Sequence, residues 1–169
     1  MNFATLFSIE PYSWTSIAAA IFCGTIIGIE RQLRGKPVGI RTSSLIVLGT
    51  YIFISSSMLI AADITDPSRI IGQVITGIGF IGAGVMLSKE GVVVGVTSAA
   101  TIWVLAAIGV CIAVIDTVVA IKLAVLVVCI LSGVDYLEER STHFTRGAHS
   151  RYNDWRSKKT KVKSKKHDV

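Results

Sequence analysis

Two charged residues, Glu30 and Arg69, lie where the dipole of a helix opposes their charge. Glu30 follows a long apolar segment and is expected at the negative end of a helix, whereas Arg69 is expected in the positive first turn of another. Each placement is disfavoured by roughly 0.3–1 kcal/mol unless the charge has a partner. Arg34 can reach Glu30 from four residues along the helix, and Arg31 and Arg41 are alternatives. Such pairs either lock the loops or gate and bind something at a membrane surface.

Further polar residues define what Arg69 could bind. Asp63, Asp66 and Asp116 are its candidate partners, and Gln73 lies one turn further along the same face. Asp63 and Asp66 could also attract a divalent cation, because hard cations prefer carboxylate ligands. Capping of a helix is the stronger interpretation of Asp66, so the sequence leaves the identity of any metal site open.

A second polar pair, Thr97 and Thr101, is spaced four residues apart at the start of another apolar segment. Their hydroxyls could donate to a neighbouring carbonyl or line a path through the membrane. Trp103 follows closely, and packing is its expected role, with ligand contact as the alternative.

Motifs of enzymes and cofactor sites are missing from the sequence. It contains no Ser-His-Asp arrangement, no H-E-x-x-H and no Walker loop, and no carboxylate stands in the middle of an apolar segment. Gly77, Gly79 and Gly82 match G-x-G-x-x-G, but a dinucleotide site needs a preceding strand and a later acidic residue. The three cysteines lie in apolar segments without a C-x-x-C spacing, which predicts buried small hydrophobic residues. We therefore expect no enzymatic activity and no cofactor.

The composition and one long apolar run place the chain in a membrane. Hydrophobic residues make up 51% of the 169 positions, and the mean hydropathy is +0.64. The run over residues 66–87 reads DPSRIIGQVITGIGFIGAGVML, with Asp66 as an N-cap, Pro67 at the first helical position and Gln73 as the only strongly polar residue after 69. Its apolar part is about long enough to cross a hydrocarbon core of about 30 Å.

The hydrophobic pattern predicts an all-α membrane protein with a bundle of about five transmembrane helices. The expected spans are residues 11–29, 42–62, 68–87, 94–112 and 117–137, with a tight turn within 111–117. Fifteen of the 17 Lys and Arg residues fall on one side if the N-terminus is outside and the C-terminus cytoplasmic, which the positive-inside rule favours. Residues 1–137 form the membrane domain in this interpretation, and 138–169 a basic, disordered cytoplasmic tail.

Glycine spacing predicts close helix contacts. Ala20, Gly24 and Gly28 recur every four residues, and Gly72 with Gly79, and Gly77 with Gly84, recur every seven. Small residues at such spacings let a second helix approach closely. They either pack this bundle or form a dimer seam or hinge, so a homo-oligomer is one expectation.

The basic tail interleaves Phe144, Tyr152 and Trp155 with lysines and arginines. Anionic lipid headgroups are its expected partner, at about 1 kcal/mol per basic residue near the surface. Nucleic acid is a weaker alternative, and the tail could also recruit a cytoplasmic protein.

Three sequence blocks, taken together in their order along the chain, resemble one protein family. GIERQLRGKPVGIRT at 28–42, the 66–87 run and GVTSAATIWVLAAIG at 95–109 resemble, in order and spacing, the MgtC/SapB family of bacterial inner-membrane proteins. The resemblance covers about residues 14–137. It implies functional roles for Glu30, Arg31, Gly35, Lys36, Arg41, Thr42, Asp66, Arg69, Gln73, Gly77, Gly79, Gly82, Gly84, Thr97, Thr101 and Trp103.

The resemblance also implies a biological setting. Members of the family are implicated in growth under magnesium limitation and, in intracellular pathogens, in survival inside macrophages. The best-described member is regarded as a negative regulator of the rotary ATP synthase. We therefore expect a multi-pass protein of the bacterial inner membrane that modulates another membrane complex, with a cation transporter or channel as the alternative. The sequence differs from longer members, which carry a folded C-terminal domain, and from members with Asn at the position of Thr97.

Overall fold

The computed structural model describes residues 8–60, 66–89 and 92–140, and within them it contains five helices and one short hairpin. The elements are α1 (Trp14–Leu33), α2 (Ile40–Ile60), α3 (Pro67–Gly84), β1 (Leu87–Lys89), β2 (Val92–Val94), α4 (Val96–Val114) and α5 (Thr117–Arg140). The prediction of an all-α protein is confirmed apart from the hairpin, in which Leu87 pairs antiparallel with Val94.

Side-chain caps set several of the helix ends. The Asp66 carboxylate accepts hydrogen bonds from the Ser68 backbone N–H at 2.9 Å and from its hydroxyl at 2.7 Å, and Pro67 occupies the first position of α3. The predicted start of α3 is therefore confirmed. Asp116 similarly accepts from the backbone N–H groups of Val118, at 2.6 Å, and Val119, which divides the long apolar stretch into α4 and α5.

Within the described residues, four helices are long and apolar enough to cross a membrane, namely Trp14–Leu33, Ile40–Leu59, Val96–Val114 and Thr117–Val134. Helix α3 is not among these four, because Arg69, Gln73 and its glycines dilute its apolar residues. The membrane-spanning character of the chain is thus confirmed for four segments. A crossing by α3, and the side on which each terminus lies, stay predictions.

Close backbone approaches hold α1, α2 and α4 together. A Cβ at Gly24 would collide with the Cα of Ser44, and a Cβ at Gly28 would lie 2.5 Å from the Cα of Ile40. A Cβ at Gly109 in α4 would lie 2.6 Å from the carbonyl oxygen of Val47. The predicted contact stripe in α1 is therefore confirmed, and only glycine permits this packing.

The chain divides into two compact units, Met1–Cys129 and Ile130–Val169. All the site residues considered below belong to the first unit. The predicted tail lies almost wholly at 141–169, outside the described residues, as does Asp63 in the segment between α2 and α3.

Candidate functional site

The C-terminal end of α1 carries a buried group of charges. Glu30 is 7% exposed and Arg31 only 3%. The Nε of Arg34 lies 3.2 Å from Oε1 of Glu30, so the predicted i,i+4 pair is confirmed. Among the described residues, neither carboxylate oxygen of Glu30 accepts a hydrogen bond of good geometry. The ion pair with Arg34 is therefore the main compensation we find for this buried charge.

Arg31 joins α1 to α4. Its Nη2 donates a hydrogen bond to Oγ of Ser98 at 2.6 Å, and Ser98 is 1% exposed. Arg31 was predicted only as an alternative partner of Glu30, and Ser98 was not among the predicted site residues. The only sequence signal for Ser98 is that it is a polar residue at the start of α4. Nothing in the sequence spacing connects it to Arg31, which lies 67 residues earlier.

The turn between α1 and α2 brings more of the motif together. Gly35 adopts φ +62°, a conformation that favours glycine, while the N–H of Lys36 donates to the carbonyl of Arg31 at 2.9 Å. Lys36, Arg41 and Thr42 are exposed. Arg41 forms no ion pair among the described residues, so its predicted alternative pairing with Glu30 is not observed.

The threonine pair of α4 is used within its own helix. Thr101 is 3% exposed, and its hydroxyl donates to the carbonyl oxygen of Thr97 at 2.8 Å. The Thr97 side chain is exposed. Of the two predicted roles, donation to a neighbouring carbonyl is the one that the structure has for Thr101.

Arg69 is exposed and makes no ion pair within the described part of the chain. The predicted partners Asp66 and Asp116 are thus not paired with it, and Asp63 lies outside the described residues. Asp66 is occupied as a cap, and the hydrogen bonds from the Ser68 hydroxyl and backbone N–H hold the pKa of its carboxyl below its usual value. Gln73, one turn beyond Arg69, is also exposed.

A long groove separates α2 from α3. Its volume is about 910 Å³, and its walls include Thr42, Gly49 and Ser56 of α2 with Gln73, Gly77 and Ile81 of α3. Apolar atoms form nearly the whole lining. We call this cavity the α2–α3 groove.

A second side of α3 packs on α4. A Cβ at Gly82 would lie 3.6 Å from the carbonyl oxygen of Ala99, which is ordinary contact. Trp103 lines a cavity of about 130 Å³ together with Ile71 and Ile75 of α3, and it is 54% exposed. Trp103 therefore takes the packing role expected of it while keeping half of its surface outside the bundle.

The remaining side of α3 is open. Gly72, Thr76, Gly79 and Ala83 are exposed and recur at intervals of four, three and four residues, so they share one helix side, called here the small-residue face. Within the described part of the chain, a Cβ at Gly72, Gly77, Gly79 or Gly84 would meet nothing within 4 Å beyond its local helix surroundings. Of the α3 glycines, Gly82 is thus the only one that packs against another described helix of this bundle.

The three cysteines are free, and the described residues contain no cluster of metal ligands. Cys23 and Cys111 are buried as predicted, but Cys129 is exposed, and none of the three forms a disulfide. Within residues 8–60, 66–89 and 92–140, no group of three or more His, Cys, Asp and Glu side chains could hold a metal ion.

Comparisons with known proteins agree with the three-block resemblance. The model of the MgtC family matches residues 17–140. The chain is 52% identical over 100 residues to "Putative magnesium transporter YhiD" of Escherichia coli K12, covering 55% of this chain and 46% of that protein. It is 44% identical over 95 residues to the protein MgtC of Salmonella typhimurium, an alignment that covers 56% of this chain and 40% of that protein. It is 40% identical over 103 residues to the protein MgtC of Brucella abortus, which covers 60% of this chain and 43% of that protein.

These alignments span less than half the length of each relative. No solved structure matches the chain.

Proposed function

The chain belongs to the MgtC family, and on that premise we propose that it modulates another complex of the bacterial inner membrane during growth in low magnesium or a related stress. The rotary ATP synthase is the candidate complex that the family resemblance favours. The observation that carries the proposal is the small-residue face of α3, which the described part of the bundle leaves uncovered.

This face is suited to a partner helix. Apolar side chains gain little by associating inside a bilayer, so membrane helices associate through close backbone packing at small residues. The glycines that pack this chain's own bundle, Gly24, Gly28 and Gly109, leave no space for a Cβ, whereas Gly72 and Gly79 have that space free. Phe80, at 84% exposure, lies beside the face and offers a large apolar contact.

An activity exerted by docking needs no reacting groups in this chain. Within the described residues, several buried polar side chains form structural contacts, as in the bonds from Arg31 to Ser98 and from Thr101 to the carbonyl of Thr97. We accordingly propose that the protein is not an enzyme.

A leucine at Gly79 tests the docking surface directly. We expect Gly79→Leu to insert into the membrane normally but to lose complementation of a deletion strain in low-magnesium medium, because the side chain holds a partner helix away. The matched control is Gly133→Leu in α5, where a Cβ likewise meets no atom of the described chain within 4 Å. Full complementation by Gly79→Leu, at equal protein level, would contradict docking through this face.

Transport of a cation is a second candidate function, favoured by the name of the relative that is 52% identical over 100 residues. The pathway would have to involve the polar edge that Arg69 and Gln73 form on α3. Purified protein in phospholipid vesicles should then pass magnesium ions or protons. Vesicles that remain impermeable to magnesium ions and to protons would rule out transport and leave docking as the proposal.

A further inference from the structure

We propose that the α2–α3 groove holds a phospholipid, with an acyl chain along the groove and the phosphate of a phosphoethanolamine headgroup at Arg69. The groove and the small-residue face lie on different sides of α3. Gly77 faces the groove and Gly79 does not, and two residues turn a helix by about 200°. Lipid binding in the groove and docking through the small-residue face can therefore be tested independently of each other.

The length and volume of the groove suit an extended small molecule such as a hydrocarbon chain. Its walls run from Thr42 to Ser57 along α2, which is about 22 Å at 1.5 Å per residue. The volume also lies within the range of about 300–1,000 Å³ typical of small-molecule sites.

Two serine side chains in the walls have hydrogen-bond partners inside the chain. The Ser56 hydroxyl donates to the carbonyl of Ile52 at 2.7 Å and lies 2.6 Å from the hydroxyl of Tyr12. The Ser57 hydroxyl donates to the carbonyl of Ile54 at 2.7 Å. These two donors are satisfied within the chain, and apolar atoms form nearly the whole lining, so the walls suit methylene groups.

Charges at one end of the groove match a zwitterionic headgroup. Ile70 and Gln73 form the wall there, and Arg69 precedes them with an exposed guanidinium that has no ion pair among the described residues. Guanidinium groups bind phosphates through paired hydrogen bonds. The exposed Asp66 carboxylate, three residues earlier, adds a negative charge that favours the ammonium of phosphoethanolamine over the uncharged glycerol of phosphatidylglycerol.

Lipid retention by the purified protein tests the site. The full chain is reconstituted in vesicles of equal parts phosphatidylethanolamine, phosphatidylglycerol and phosphatidylcholine, extracted in mild detergent, and its bound lipid is measured by native mass spectrometry. We expect one bound phosphatidylethanolamine per chain. At Gly77 an added Cβ would meet nothing within 4 Å beyond its local helix surroundings, and the rest of a leucine side chain would occupy the groove. Gly77→Leu should therefore lower the lipid occupancy about tenfold, the change that about 1.4 kcal/mol produces.

Two further variants separate the groove from general effects on folding. Gly79→Leu places the same side chain on the opposite side of α3 and should keep the lipid, whereas Arg69→Ala should lose the preference for phosphatidylethanolamine. Equal thermal unfolding of the two leucine variants would show that both fold. A wild-type chain without bound lipid, equal retention by Gly77→Leu, or a dimer that Gly77→Leu dissociates would each overturn the proposal, the last by assigning the groove to a second copy.

Discussion

At the scale of single residues, the burial of Glu30 constrains the end of α1. A buried carboxylate is unfavourable unless a cation or hydrogen-bond donors compensate its charge. Arg34 supplies the cation from within the same helix, and it is 28% exposed while the Glu30 side chain is 6% exposed. The pair therefore explains why two charges at the end of an apolar helix are tolerated.

Arg34→Ala should destabilise the fold toward the lower end of the about 3–5 kcal/mol that follows from breaking a buried ion pair, because Arg34 is partly exposed. Unfolding by denaturant in detergent micelles measures this change. Lys36→Ala, at an exposed position two residues later, is the control and should be nearly neutral. A neutral Arg34→Ala would mean that Glu30 is compensated in another way.

Residue contacts were predictable from the sequence only where they are local. The Glu30–Arg34 pair and the Asp66 cap follow from spacings of four and two residues. The bond from Arg31 to Ser98 links positions 67 residues apart, and only the packing of α1 against α4 creates it. The exposure of Arg69 on α3 is likewise a result that no local rule could show.

At the scale of elements, α3 differs from the other helices because its glycines serve different neighbours. One side packs on α4 at Gly82, one faces the α2–α3 groove at Gly77, and one, with Gly72 and Gly79, stays open. The glycine pattern in the sequence predicted helix contacts but could not assign a partner to each glycine. Assigning them required the positions of α2 and α4.

Alanine at two glycines should have opposite effects on stability. Gly28→Ala should destabilise by about 1–3 kcal/mol, the usual penalty of overpacking, because its Cβ would press on the backbone of Ile40. Gly72→Ala should stabilise α3 by about 0.5–1 kcal/mol, since alanine is the better helix former and its Cβ meets nothing within 4 Å. Thermal unfolding of both variants measures the difference, and equal effects would contradict the assignment of Gly28 to the tight contact.

The hairpin between α3 and α4 shows that hydropathy alone does not identify every secondary-structure element. Residues 87–89 and 92–94 are mostly apolar, so they extend the neighbouring spans in any hydropathy pattern. Each strand has only three residues, too short for a period of two to stand out. By contrast, the break between α4 and α5 was predictable because Asp116 interrupts an uncharged stretch and caps the helix that follows.

At the scale of the whole molecule, the distribution of positive charge predicts the orientation in the membrane. Four helices are apolar enough to cross, and a crossing by α3 would put the two ends of the chain on opposite sides. The first loop, with Lys36 and Arg41, would then be cytoplasmic, and Arg69 would lie at the outer surface.

Single cysteines introduced into a cysteine-free background test this orientation. We expect Thr65→Cys to react with an impermeant maleimide added to intact cells, and Ser150→Cys to react only after the membrane is opened. The replacement of Cys23, Cys111 and Cys129 by alanine must first be shown to preserve complementation. Reaction of both positions from the same side would mean that α3 does not complete a crossing.

Cellular ATP and total magnesium, measured together during magnesium starvation, test the central claim most directly. The deletion strain should contain more ATP than the strain complemented with the intact chain, at equal total magnesium, and Gly79→Leu should resemble the deletion. Unchanged ATP together with lower cell magnesium in the deletion strain would contradict modulation of the ATP synthase and point to transport.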